Sequence, residues 1–135
     1  MNYHITASSL SNADAQLHIK QSNIDFGTTP TTANQLPNPA ELFLGSFAAC
    51  MLKNVERFSK MMKFTYSKAE LKVDATWLEK PPRMDAIHYE LIVYSTEEDI
   101  NVRLLQKNIE KFGTIYNTVK LACAISGTIE TAVQV

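Results

Sequence analysis

The sequence predicts an α+β fold in which antiparallel strand pairs flank one long helix and a second helix follows. Three observations carry that expectation. Short runs alternate apolar and polar residues, Asn38-Pro39-Ala40-Glu41 opens the most apolar stretch of the chain, and an apolar stripe at helical spacing occupies residues 100–112. Alternation has period two and a helix stripe has period near 3.6, so pattern alone separates the two kinds of element.

The elements follow in order. Residues 3–8 and 15–26 alternate, with Leu17 and Ile19 set against His18 and Lys20, and Ser11-Asn12-Ala13-Asp14 between them fits a hairpin turn. Residues 27–38 are rich in Thr, Pro and Asn and read as an irregular connector. Asn38 then caps a helix, Pro39 suits its first position because its missing N–H would be unpaired there, and Glu41 returns a bond to the cap N–H. That helix runs from residue 39 to about 63. Its second half is amphipathic, with Met51, Val55, Phe58 and Met62 against Lys53, Glu56, Arg57, Lys60 and Lys63.

Leu71, Val73, Ala75 and Trp77 alternate with Lys72, Asp74 and Thr76, and Ile87, Tyr89, Leu91 and Val93 do the same beyond a turn at residues 79–83. Together they predict an antiparallel hairpin with one core face. Glu97, Glu98 and Asp99 favour a helix start, and Ile100, Leu104, Leu105, Ile109 and Phe112 give that helix its stripe before Gly113 ends it. A last strand places Cys123, Ile125, Ile129, Val133 and Val135 on one face.

Composition bounds the function. The 135 residues, 45% hydrophobic and 20% charged, read as a single domain over residues 1–135. The 13 Lys and Arg are interspersed with 14 acids, for a formal net charge of -1, which gives no electrostatic footprint for nucleic acid. The N-terminus has no basic region followed by an apolar run, and no segment has the length of a membrane span, so the expectation is a cytoplasmic protein without a membrane partner. In a reducing compartment the two cysteines are each a buried small residue or a reactive thiol.

Cys50 lies within residues 42–52, Leu-Phe-Leu-Gly-Ser-Phe-Ala-Ala-Cys-Met-Leu, where only Ser46 is polar. A helix that is apolar all round needs partners on every face, more than one small chain supplies. A homodimer is therefore expected, with Cys50 near its interface. His4, His18 and His88 are scattered, which gives no metal site, and no glycine-rich loop exists to hold a phosphate cofactor.

The element order, taken with Asn-Pro-Ala-Glu-Leu-Phe-Leu-Gly-Ser-Phe-Ala-Ala-Cys over residues 38–50, resembles the OsmC/Ohr family of small dimeric thiol peroxidases along nearly the whole chain. The family pattern of Pro, one or two acids, Leu, a small-residue helix and the peroxidatic Cys is met by Pro39, Glu41, Leu42, Gly45-Ser46 and Ala48-Ala49-Cys50. The resemblance implies an intertwined homodimer with central helices side by side between two sheets. It also implies reduction of hydroperoxides, organic ones especially, by a Cys50 thiolate that becomes a sulfenic acid for a second cysteine to capture.

The chain departs from the family in three places. The family's acid ten residues before the cysteine falls on Ala40, leaving Glu41 as the segment's only carboxylate, better explained as a cap than as a catalytic group. The family's arginine in the N-terminal strands is missing, and Arg57, seven residues after Cys50, is the nearest substitute beside Lys53. The resolving cysteine has two registers. Cys123-Ala-Ile-Ser looks like the family's Cys-Pro-Val-Ser. Alternatively residues 112–119, Phe-Gly-Thr-Ile-Tyr-Asn-Thr-Val, match the Lys-Tyr-Cys-Ser-Val-Tyr variant of the YhfA-type branch, and Gly113 replaces the cysteine. The second register is preferred because it leaves a full-length strand after it. On that register Cys123 is a core residue and Cys50 needs an external thiol reductant. Phe43 and Phe47 are core residues that could also form an apolar collar for an alkyl hydroperoxide. Two functions follow: a one-cysteine hydroperoxide reductase, or a dimer of the same fold that binds small apolar ligands with peroxidase activity weak or lost.

Overall fold

The structure, a computed structural model, describes residues 2–133 and divides into two compact units, Met1–Phe43 and Leu44–Val135. The first unit is built on a three-stranded antiparallel sheet in the order β1 (Thr6–Ser9), β2 (Ala15–Ile19), β3 (Ser22–Phe26). The single strand expected over residues 15–26 is therefore two. Lys20 turns into the left-handed region at φ 54°, and the pairing of Ile19 with Ser22 leaves only residues 20 and 21 in the turn.

The connector after β3 is tied down. One 3₁₀ turn spans Pro30–Thr32, and the Gly27 N–H donates to the Pro37 carbonyl at 2.9 Å. Asp14 accepts from the Thr28 N–H at 3.2 Å and from the hydroxyls of Thr29 at 3.3 Å and Thr32 at 2.7 Å. Those bonds, the one from Thr32 foremost, hold its carboxyl below the ordinary value.

Helix α1 (Pro39–Met61) begins in the first unit and runs into the second. The second unit's sheet has the order β4 (Lys68–Glu79), β5 (Pro82–Tyr94), β6 (Ala124–Ala132). β4 and β5 form the expected antiparallel hairpin, but β6 runs parallel to β5, against the expectation of wholly antiparallel sheets. The reason is connectivity: a parallel neighbour needs a crossover, and helices α2 (Val102–Phe112) and α3 (Thr114–Val119) supply one between β5 and β6. α3 was not anticipated.

The central strand β5 buries Ile87, Tyr89, Leu91 and Val93, the face its alternation predicts. Phe47, Met51, Val55 and Phe58 of α1 and Leu105 and Ile109 of α2 complete the core with them. Trp77 leaves the expected face and is 63% exposed: the β4–β5 pairing slips between Thr76 and Trp77, with Asp85 as the extra residue on β5, and residues 76–79 of β4 are all exposed. α2 starts later than its acids suggest. Glu97 accepts from the N–H and hydroxyl of Thr65, and Asn101 is the cap, its side chain accepting from the Leu104 N–H at 3.0 Å. In β6, Ile129 is buried and Ile125 half-buried, Val133 beyond it is exposed, and Val135 lies outside the described residues. Among the described residues no helix is long and apolar enough to cross a membrane.

One glycine is fixed by close approach. A β-carbon at Gly127 of β6 would stand 2.3 Å from the Tyr89 ring, which the parallel register places directly opposite. Gly127→Ala should therefore destabilise the fold by about 1–3 kcal/mol through overpacking, read as a lower midpoint in denaturant unfolding. An unchanged midpoint would show that the ring is free to move.

Candidate functional site

The site begins with the start of α1. The Glu41 N–H donates to Asn38 Oδ1 at 2.8 Å, and the Asn38 N–H donates to Glu41 Oε1 at 3.1 Å, so the two residues close a reciprocal capping box. Further along, Phe47 and Met51 are fully buried. Phe47 packs on Tyr116 with ring centroids 5.8 Å apart and on Tyr89 at 6.3 Å. At 100° per residue, Cys50 falls beside this buried stripe, and it is half-buried.

Two groups meet the thiol. Asn54, one turn on and buried, donates its side-chain N–H to the Cys50 carbonyl at 2.9 Å, and its Nδ2 lies 3.7 Å from Cys50 Sγ. Because a carbonyl can only accept, that bond fixes which end of the amide is the donor beside the sulfur. The other group is Gly113, the single residue between α2 and α3. Its N–H donates to the Ile109 carbonyl at 3.0 Å, and a β-carbon built on it would lie 3.2 Å from Cys50 Sγ, 3.0 Å from Tyr116 Cβ and 2.9 Å from the Ile109 carbonyl oxygen. Position 113 thus faces the thiol directly.

A polar group lies behind this wall. The Tyr89 hydroxyl donates to Glu110 at 2.8 Å and accepts from Gln106 at 2.9 Å, and Gln106 also donates to the Gly127 carbonyl at 3.1 Å. Burial and then the bond to Glu110 raise the Tyr89 hydroxyl well above its ordinary value. Burial and then the Glu110 charge push Tyr116 up to about 12, so both phenols stay protonated at neutral pH.

A profile of the OsmC-like protein family matches residues 32–135. The chain belongs to the OsmC-like family. No curated protein matches it. Among solved structures it is similar to an OsmC-like protein from Mycoplasma pneumoniae, with a TM-score of 0.85 at 16% identity over 99% of both chains. An organic hydroperoxide resistance protein OsmC from Legionella pneumophila gives a TM-score of 0.70 at 11% identity over 98% of each chain. The organic hydroperoxide resistance protein OhrB of Bacillus subtilis gives 0.67 at 14% identity, over 96% of this chain and 98% of that one. At these identities the likeness is one of fold.

Set against the OsmC-like pattern, the remaining residues separate. Glu41 is exposed and its carboxylate serves the cap, and Ala40 beside it is exposed as well. Arg57 is drawn onto aromatic faces, its guanidinium 5.2 Å from the Phe58 ring centroid and 5.6 Å from that of Phe112, while Lys53 is exposed. Cys123 is buried, its thiol donating to the Met84 carbonyl at 3.4 Å, and both cysteines are free. Phe47 is core, whereas Phe43 is 42% exposed. Among the described residues no three His, Cys, Asp or Glu side chains gather as a metal site. The sequence reading missed Asn54, although its place four residues after Cys50 put it on the same helix face.

The capping box separates the two roles for Glu41. Gln makes the same return bond, so Glu41→Gln should keep both stability and thiol reactivity, while Glu41→Ala should lose about 0.5–1 kcal/mol of stability in denaturant unfolding. A large drop in peroxide reactivity for Glu41→Gln at unchanged stability would show a catalytic carboxylate instead.

Proposed function

We propose that this chain is a cysteine-dependent hydroperoxide reductase that prefers organic hydroperoxides, uses Cys50 as its peroxidatic thiol and is recycled by an external thiol. The observation that carries this reading is the environment of Cys50: a half-buried thiol on an apolar wall, with an amide donor at 3.7 Å and a glycine facing it. In the reaction the Cys50 sulfur attacks the distal peroxide oxygen, the O–O bond breaks, an alcohol leaves and the sulfur is oxidised to a sulfenic acid. Asn54 Nδ2 is placed to hydrogen-bond the sulfur, and the apolar stretch of α1 around the thiol suits an alkyl group. Gly113 stands where the preferred register expects the resolving cysteine, and Cys123 is buried against Met84. A second thiol must then come from solution, as the cytoplasm supplies.

The same reading makes the chain a single-domain homodimer. Gly45, Ala49 and Leu52 fall on one side of α1 and all remain exposed, Leu52 by 37%. A second copy of α1 would cover that side. Sedimentation at micromolar concentration should give a dimer, and a folded monomer would remove this support for the pocket.

A second reading, an OsmC-like dimer that binds small apolar ligands with little peroxidase activity, is favoured by the engagement of Arg57 with Phe58 and Phe112 and of Glu41 with the cap. Consumption of cumene hydroperoxide and of hydrogen peroxide, with Cys50→Ser as control, separates the two. We expect faster loss of the organic peroxide, abolished by Cys50→Ser, with Cys50 oxidised and Cys123 unmodified in mass spectra. A Cys50–Cys123 disulfide in high yield would restore the other register. Gly113→Cys should gain an intramolecular disulfide with Cys50 on oxidation, at a stability cost of about 1 kcal/mol from crowding the Ile109 carbonyl.

A further inference from the structure

The outer face of α2 is strongly basic. Arg103, Lys107 and Lys111 are exposed and follow one another at intervals of four, so they share one helix face, and Lys120, the C-cap of α3, joins them around an open cleft of about 630 Å³. At 1.5 Å per residue the α2 cations are spread over about 12 Å. Among the described residues none of the four makes an ion pair, although Lys111 also stands 5.3 Å from the centroid of the Phe112 ring. Glu110 is the only carboxylate in the lining, and it accepts the Tyr89 hydroxyl at 2.8 Å. Four cations against one acid is a local excess in a chain whose formal net charge is -1. Like charges four residues apart on a helix repel, and an anion in the cleft would relieve them.

A second, independent observation points to a ligand. Tyr116 lines the cleft although the residue is only 8% exposed, its ring packed on Phe47 with centroids 5.8 Å apart. The Tyr116 hydroxyl has no hydrogen-bond partner among the described residues. No described side-chain oxygen or nitrogen is sealed from solvent without a partner, so this hydroxyl opens into the cleft that the residue lines. Burial and then the Glu110 charge keep it protonated at neutral pH, which makes it a donor. A phenol held rigidly by its ring, aimed at open space and surrounded by cations, is an arrangement that binds an oxyanion.

We propose that this cleft binds a small molecule carrying a chain of two or three phosphate groups. Four cations less one carboxylate leave three positive charges for the ligand to meet. A single phosphate does not reach along the whole row on α2, whereas linked phosphates place charge and several acceptor oxygens at each step of it. The cleft's volume is that of a small-molecule site. A nucleic acid fits less well, because beyond the cleft this nearly neutral chain offers it no extended basic surface. Here side chains hold the phosphates, in place of the backbone N–H groups of a glycine-rich loop. Cys50 does not line the cleft, so the site is separate from the thiol and does not rest on the peroxidase reading.

The test is calorimetric titration of the whole protein with sodium tripolyphosphate, ATP, orthophosphate, citrate and a short oligodeoxythymidylate. We expect one saturable site per chain for tripolyphosphate and for ATP, each about tenfold or more tighter than orthophosphate or citrate. Equal affinity for the two would mark a bare phosphate chain as the ligand, and tighter binding of ATP a nucleotide; either supports the site. The double variant Arg103→Glu, Lys107→Glu should weaken tripolyphosphate by about tenfold or more. Tyr116→Phe, which keeps the ring on Phe47, should weaken it about fivefold to tenfold. The double variant Lys60→Glu, Lys72→Glu makes the same charge change away from the cleft and should cost less than about twofold. In wild type, added salt should weaken tripolyphosphate steeply, a measurement that does not depend on any variant's folding. No saturable binding at low salt, equal losses in the two double variants, or unchanged affinity in Tyr116→Phe would overturn the site. So would citrate binding as tightly as tripolyphosphate, or the oligonucleotide binding more tightly than either phosphate chain.

Discussion

The rotation of α1 about its own axis is the constraint on which the site depends. Phe47, Met51, Val55 and Phe58 are buried together, and each removes a large side chain from water, at about 1.5–3 kcal/mol apiece. No other rotation of the helix buries all of them. Once Phe47 and Met51 face the core, the intervening residues have no choice of direction: Cys50 comes to the edge of the buried stripe, and Lys53, Glu56 and Lys60 come to water. The thiol is half-buried because its neighbours are wholly buried. The capping box adds to this by fixing where the helix begins and hence which residue occupies each turn.

The second constraint is the break between α2 and α3. Gly113 is at once the last cap of one helix and the first of the next, with extended backbone at φ −76° and ψ 114°. Its φ is one that any residue adopts, so conformational freedom is not why glycine fits here. Space is the reason. The Ile109 carbonyl, Tyr116 and Cys50 all stand within 3.2 Å of where a β-carbon would be. The same break sends α3 back toward the sheet, where Tyr116 stacks on Phe47 and thereby ties the wall beside the thiol to the stripe that oriented it.

Charge is arranged on a different principle from packing. Arg57 is held over Phe58 and Phe112, and the carboxylate of Glu110 by the Tyr89 hydroxyl. Each of these groups is the obvious partner for some opposite charge, and each is already engaged with an aromatic side chain. This leaves the thiol with an uncharged donor, Asn54, as its polar neighbour, and among the described residues the cations of α2 make no ion pair. A chain nearly neutral in total thus carries a thiol whose immediate contacts are neutral and, on another face of α2, a basic cleft.

The sequence by itself determined what local physics determines. The Asn38–Glu41 cap, the stripe of α1, the alternating face of β5 and the motif around Cys50 were legible because each depends on residues a few positions apart. Elements misread from sequence failed where a distant partner intervened. Glu97 bonds to Thr65 rather than starting a helix, the end of β4 that carries Trp77 is exposed on both faces beyond a slip in its pairing with β5, and β6 chose a parallel partner because a helical crossover preceded it. The placement of Gly113 against Cys50, 63 residues away in the chain, and the gathering of Arg103, Lys107, Lys111 and Lys120 around one cleft were decided only by tertiary structure. Composition showed those cations as interspersed among acids. Helical spacing placed three of them on one face, and the fold brought α3 beside it, because proximity in space is set by packing and not by order along the chain.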